Sequence, residues 1–205
     1  MMEQKKYFDI LQIYRGIAAL LVVIHHTYAS FAHFHNFDIP ALAFIAKIGK
    51  LGVDFFFVLS GFIITYTTFK YRGNTDYFKK YAFNRIVRVY IPYLPISLAI
   101  LALYYSLPSI SGSDRSMSLL TSLTLIPHGN PALSVAWTLI FEMFFYLAFS
   151  LNFFWKRGWF YFLGIWIIGI ITVAIIKLDL SNPFLKIIFS MYNLEFIIGV
   201  LVAYL

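Results

Sequence analysis

Arg15 and His26 are eleven residues apart in a sequence that is apolar between them. In an α-helix, eleven residues bring two side chains back to within about 20° of one face and separate them by about 16 Å along the axis. The spacing therefore predicts a single helical stripe with a cation at the mouth of an apolar run and an imidazole in its interior. Because histidine exchanges protons near neutral pH, the stripe suits general acid–base chemistry.

Further ionisable side chains lie within apolar runs, namely His25, Asp54, Glu142 and Glu195. Such groups are costly in hydrocarbon and usually face a cavity or a partner. If successive runs cross a membrane in opposite senses, His26, Glu142 and Glu195 all lie near mid-membrane, which predicts a histidine–carboxylate pair. The spacing leaves a structural alternative open for each group. The histidine and the glutamates could serve only to join helices by hydrogen bonds, and Asp54 could be a solvated helix end.

Three more residues have both a chemical and a structural interpretation. Arg85 and Arg88 are three residues apart, so they share a helical face that either binds an anion or anchors a helix at the headgroups. Ser60 is a possible acyl-enzyme nucleophile, but Ser60 followed by Gly61 also permits close helix packing.

The composition predicts the class of protein. Hydrophobic residues make up 61% and charged residues 12% of the 205 positions, whereas a soluble domain has roughly 25% charged residues. Six apolar runs approach the length of about 20 residues that a bilayer core requires: 16–37, 51–69, 89–113, 134–155, 158–176 and 187–205. We therefore predict an all-α, polytopic transmembrane helix bundle of about six spans.

The net charge of +7 comes from cations that flank the apolar runs. Lys5, Lys6, Arg15 and the basic connection 70–88 predict a cytoplasmic N-terminus by the positive-inside rule. This rule explains the cations without a nucleic-acid partner. The basic start is also compatible with a signal peptide, although Arg15 and the two histidines argue against it. The absence of cysteine excludes disulfide and thiolate chemistry.

Residues 127–131 contain two prolines and a glycine and cannot continue a helix. The piece before them is therefore predicted to be a short re-entrant or interfacial segment. No repeat or linker is visible, so we predict one membrane domain over residues 1–205. The chain ends at Leu205 within an apolar run, which predicts that the domain is truncated at its C-terminus.

Four stretches resemble the acyltransferase 3 family of bacterial membrane O-acyltransferases. Residues 14–26 look like the family's signature of arginine, ten residues and histidine, and residues 52–62 are similar to its FFxLSGF span. Residues 84–93 look like its basic entry to the third span, with Ile91 in place of the usual proline, and residues 137–146 like its WTLxxExxFY helix. Because family members have about ten spans of about 20 residues, the chain is expected to be the first part of such a domain.

The resemblance implies transfer of an acyl group, with acetyl as the first choice, from acyl-CoA to a hydroxyl of an envelope or exported glycan or a lipid-linked sugar. It implies a bacterial inner-membrane enzyme with acetyl-CoA as co-substrate, no permanently bound cofactor and no metal. His26 would be the general base, Glu142 would orient it or hold the acceptor, and His25 would be secondary. The substrate-binding residues would be Arg15, Arg85 and Arg88 for the phosphates of coenzyme A, with Asp54 and Trp137.

Two alternatives remain. A transporter of a small anionic solute would also use ionisable groups within the membrane and cytoplasmic arginines. Inverted repeats would favour it, and the sequence shows none clearly. The other alternative is an inactive fragment of the acyltransferase, if later spans complete the cavity.

Overall fold

The computed structural model of the protein describes residues 2–35, 39–107 and 117–205. These residues form ten α-helices and contain no β-strand. The helices are α1 (Met2–His35), α2 (Pro40–Gly49), α3 (Leu51–Thr68), α4 (Thr75–Ser106), α5 (Leu119–Thr124), α6 (Trp137–Phe149), α7 (Leu151–Phe154), α8 (Gly158–Ile176), α9 (Pro183–Ile188) and α10 (Tyr192–Val202). The prediction of an all-α fold is confirmed.

Five segments of the described chain are long and apolar enough to cross a membrane: Ile10–Ala32, Thr75–Ser106, Ser134–Phe154, Gly158–Ile176 and Pro183–Val202. They confirm the polytopic helical bundle. The predicted span 51–69 is not among them. It forms α3, which has 18 residues and carries Asp54 in its first turn. The predicted span ends at 36–37 and 108–113 lie outside the described residues.

The basic stretch 70–88 is mostly helical rather than a simple connection. α4 begins at Thr75 because the side-chain oxygen of Asn74 accepts hydrogen bonds from the amides of Asp76 and Tyr77, at 3.0 and 3.3 Å. Such a cap satisfies amides that have no partner within the helix. Arg85 and Arg88 consequently lie inside α4, three residues apart on one face.

The helices divide into two compact units. The first contains α1, α2, α3 as far as Tyr66, and α10 from Glu195 onward. The second runs from Thr67 to Leu194. The prediction that residues 1–205 form one domain stays a prediction.

Glycines allow close helix packing in the first unit. A Cβ on Gly61 of α3 would collide with the main-chain carbonyl of Phe196 in α10, and a Cβ on Gly199 of α10 would collide with that of Val58 in α3. Helices in lipid associate largely through van der Waals packing, which small residues permit by letting backbones approach. The contact between α3 and α10 therefore depends on the absence of two side chains.

Aromatic rings fill the core of the second unit. The Tyr81 ring of α4 lies 4.7 Å from the Phe153 ring of α7, and the Phe149 ring of α6 lies 5.3 Å from the Trp159 ring of α8. All four side chains are buried. These contacts join four helices, and edge or tilted ring pairs of this kind add stability beyond the area that they bury.

The segment predicted to be re-entrant is the short helix α5 followed by an irregular loop. Its backbone is paired with the middle of α4: the Ser122 carbonyl accepts hydrogen bonds from Tyr93 and Ser97, each at 2.7 Å. The Tyr90 hydroxyl donates to the carbonyl of Thr124 at 2.5 Å. Tyr93 and Ser97 lie about 6 and 12 Å past the start of the apolar run at residue 89. The last carbonyls of a helix have no partner within it, so at that depth they require partners elsewhere in the protein, and α4 provides them.

The last predicted span is interrupted. α9 ends at Ile188 and α10 begins at Tyr192. At the break, the Asn193 amide group donates to the carbonyls of Ile187 and Ile188, at 2.6 and 3.1 Å, and the Trp166 indole also donates to Ile188 at 2.7 Å. These bonds satisfy carbonyls that the end of α9 would otherwise leave without partners.

We expect Gly61→Ala and Gly199→Ala each to destabilise the protein by about 1–3 kcal/mol, because the added methyl group overpacks a contact between two backbones. The measurement is thermal unfolding of the detergent-solubilised protein. Gly164→Ala in α8 is the matched control, since nothing lies within 4 Å of its Cβ position. Equal stability of Gly199→Ala and Gly164→Ala would contradict the tight crossing.

Candidate functional site

Arg15 and His26 lie on one uninterrupted helix, α1. Their separation of eleven positions corresponds to about 16 Å of helix axis, as the sequence predicts. Arg15 is half-buried and His26 is exposed. The predicted stripe therefore exists as a continuous structural element of the first unit.

His25 is held more firmly than its neighbour. Its Nδ1 lies 2.7 Å from the main-chain carbonyl oxygen of Ala46 in α2, and the bond is partly buried. The His25 ring in turn meets the His26 ring edge-on, with centroids 5.2 Å apart and planes at 65°. The two histidines thus form a contact pair, although they occupy different faces of α1.

Two acids lie in the same unit. Asp54 is in the first turn of α3, where the helix dipole favours a negative charge. Glu195, on α10, is half-buried and close enough to Asp54 for the two carboxyl groups to interact electrostatically. One Glu195 oxygen, Oε2, is buried and has no hydrogen-bond partner among the described residues.

A cation–aromatic–acid cluster lies in the second unit. The Arg85 guanidinium of α4 lies over the rings of Tyr81 and Tyr146, at 5.7 and 5.3 Å from their centroids. The Tyr146 hydroxyl donates a hydrogen bond to the Glu142 carboxylate, one turn earlier in α6. The Tyr81 hydroxyl donates to the Tyr146 main-chain oxygen at 3.0 Å. We call these four residues the arginine–tyrosine cluster.

Arg85 keeps an open donor within this cluster. Its Nε is buried and has no hydrogen-bond partner in the described part of the chain. Buried N–H groups are nearly always paired, so an unpaired one requires an explanation, such as a ligand or a water molecule. Arg88 is exposed one turn further along, near enough for its charge to act on Tyr146. A guanidinium group is suited to bind an anion such as phosphate.

Trp137 begins α6 and belongs to a group of three rings. Its centroid lies 5.2 Å from that of Tyr192 and 6.0 Å from that of Phe141. The Tyr192 and Phe141 centroids are 5.5 Å apart. Trp137 is therefore half-buried in an aromatic group five residues before Glu142.

The structure groups Arg15, His25, His26 and Asp54 in the first unit, and Arg85, Arg88, Trp137 and Glu142 in the second. The predicted pairing of His26 with Glu142 stays a prediction. In the described residues, no three His, Asp or Glu side chains lie close enough together to hold a metal ion.

Sequence reasoning missed Tyr81 and Tyr146 as members of the cluster. A signal was present, because Tyr81 is four residues before Arg85 and Tyr146 is four residues after Glu142. Residues four apart are neighbours on a helix surface. The sequence did not indicate that α6 places Tyr146 against Arg85 of α4.

The family model of an acyltransferase domain, acyltransferase 3, matches residues 8–205. No curated protein and no solved structure matches the chain.

We expect Tyr146→Phe to lower the free energy of unfolding by about 1 kcal/mol, because it deletes the hydroxyl that donates to Glu142. Thermal unfolding in detergent measures the loss. Tyr105→Phe is the matched control, since Tyr105 is 69% exposed on α4. If the two variants unfolded at the same temperature, the hydrogen bond to Glu142 would contribute nothing to stability.

Proposed function

Because the chain belongs to the acyltransferase 3 family, a family of acyltransferases, we propose that this membrane protein transfers an acyl group from coenzyme A to a hydroxyl of an envelope or exported glycan. Acetyl is the first choice for the acyl group. The observation that carries the proposal is the location of Arg15 and His26 on one continuous helix, α1. On such a helix, one residue can bind a charged donor molecule at the membrane surface. A second residue of the same helix can accept a proton within the membrane.

His26 is the general base in this mechanism. As the acceptor oxygen attacks the thioester carbonyl carbon, its proton passes to the imidazole. The tetrahedral intermediate then breaks its carbon–sulfur bond, and the proton on His26 passes to the departing sulfur of coenzyme A. The products are the acyl ester and the free thiol, so the imidazole is regenerated in each turnover.

Arg85 and Arg88 bind phosphate groups of acyl-CoA, and Arg15 is a further cation for the same donor. The support is the guanidinium group of Arg85, which lies over two tyrosine rings and whose Nε is buried and has no hydrogen-bond partner among the described residues. A guanidinium held in place loses little freedom when it binds, and it contacts phosphate through two parallel hydrogen bonds. Glu142 binds the acceptor, and Tyr146 holds the Glu142 carboxylate in place.

Asp54 and Trp137 complete the proposed substrate contacts. A half-buried carboxylate accepts hydrogen bonds from sugar hydroxyls, and a half-buried indole offers an apolar face with one N–H donor. We place the protein in a bacterial inner membrane with a cytoplasmic N-terminus, because acyl-CoA is a cytoplasmic donor and the cations fit the positive-inside rule.

We expect His26→Ala to lower acyl transfer by about 100-fold or more, the usual contribution of a general base. The assay supplies radiolabelled acetyl-CoA to membrane vesicles that carry the full-length protein and measures label in the glycan fraction. Thr27→Ala, the next exposed position on α1, is the control and should retain transfer. Unchanged transfer by His26→Ala would remove His26 from the mechanism.

We expect Arg85→Ala to raise the KM for acetyl-CoA by about 10- to 100-fold, because a hydrogen bond to a charged group is worth about 1.5–3 kcal/mol. Arg85→Lys should recover only part of the loss, since an ammonium group lacks the planar geometry. Lys79→Ala removes an exposed cation from the same helix and is the control. A change confined to the acceptor KM would show that Arg85 does not bind the donor.

A further inference from the structure

The end of α2 lies against the backbone of α1. A Cβ on Gly49, the last residue of α2, would meet the main-chain oxygen of Leu21 and the Cβ of His25. A Cβ on Gly52, three residues later, would meet the Ala18 oxygen at 2.8 Å. Gly49 thus allows the end of α2 to approach α1 closely, and Gly52 allows the same for the first turn of α3.

The close packing of α2 on α1 brings one main-chain carbonyl of α2, that of Ala46, next to the His25 ring. In a regular helix the Ala46 oxygen would accept the amide hydrogen of Lys50, four residues later. Here the Lys50 amide donates to the Ile48 oxygen instead. The Ala46 oxygen is therefore one of the acceptors that a helix end leaves without its usual partner, and His25 Nδ1 lies 2.7 Å from it.

The hydrogen bond determines the state of the His25 ring. A carbonyl oxygen only accepts, so Nδ1 of His25 carries the hydrogen and donates it. The C-terminal end of a helix carries partial negative charge, which strengthens this donation. The His25 ring is thereby held at a defined angle between α1 and α2.

His26 needs such a fixed neighbour. It is exposed, so burial does not immobilise its imidazole. Its ring meets the edge of the His25 ring, with a centroid distance of 5.2 Å. A change in the orientation of His25 therefore changes the rotamers that are open to His26.

We propose that His25 is a positioning residue, whose ring is fixed by the Ala46 carbonyl at the glycine-permitted end of α2 and in turn orients the His26 imidazole for proton transfer. This inference rests on the proposed function, because it assigns His25 a task only if His26 is the base. It also separates the two histidines by role: His25 touches protein, and His26 touches the reacting hydroxyl.

The test compares two amide substitutions in the full-length protein, with the vesicle assay and radiolabelled acetyl-CoA. His25→Asn carries an N–H donor at the position of Nδ1, whereas His25→Gln carries it one atom further out. We expect His25→Gln to lower kcat by about tenfold or more, and His25→Asn to recover at least a third of the normal rate. The KM for acetyl-CoA should not change in either variant.

A second variant tests the packing without altering either histidine. Gly49→Ala should lower kcat as His25→Gln does, because its methyl group separates α2 from α1. Gly16→Ala is its control, since nothing lies within 4 Å of that Cβ position. Thermal unfolding in detergent is measured for every variant. It shows whether a lower kcat results only from a smaller amount of folded protein.

The pH dependence of kcat distinguishes positioning from catalysis. If His25 only positions His26, the residual activity of His25→Gln keeps the acidic limb of the profile, because the base that titrates is still present. Loss of that limb, or equal rates for the Asn and Gln variants, would overturn the proposal. Measuring His26→Ala in the same series distinguishes failure of the proposed function from failure of this inference. Full activity of His26→Ala would overturn the proposed function. An inactive His26→Ala together with a fully active His25→Gln would overturn only the role of His25.

Discussion

Lipid hydrocarbon offers no hydrogen bonds, so a polar backbone group within a membrane requires a partner inside the protein. The protein meets this constraint where its helices are interrupted. After α2, His25 donates to a carbonyl at the helix end. Hydroxyl groups of α4 donate to carbonyls of α5, and Trp166 and Asn193 donate to carbonyls at the end of α9. Breaks in the helices are therefore where side chains from neighbouring segments are held most firmly.

The same environment explains the importance of glycine. In lipid, helices gain little from burying apolar surface, so close van der Waals contact between backbones has greater weight. Gly61 and Gly199 permit that contact between α3 and α10, and Gly49 permits it between α2 and α1. At Gly49 the close packing also brings the Ala46 carbonyl, at the end of α2, within hydrogen-bond distance of His25, which links a structural feature directly to the candidate site.

In the arginine–tyrosine cluster, a cation is held among aromatic side chains. Tyr81 and Tyr146 present ring faces to Arg85, and cation–π contacts of this kind stabilise a guanidinium group. The rings accept no strong hydrogen bond, and Nε of Arg85 has no hydrogen-bond partner among the described residues. Glu142 is paired with the Tyr146 hydroxyl, so the acid and the cation are oriented by the same side chain.

The sequence by itself determined the class of protein, the approximate spans and the helical stripe of Arg15 and His26, because hydropathy and the 3.6-residue period are local properties. It also suggested that Ser60–Gly61 is a packing site, which the contact of Gly61 with α10 supports. Only the tertiary structure decided which helices meet at their glycines and that His25 donates to Ala46. Those contacts join residues far apart in the chain, and their geometry depends on how helix ends pack, which no local pattern records.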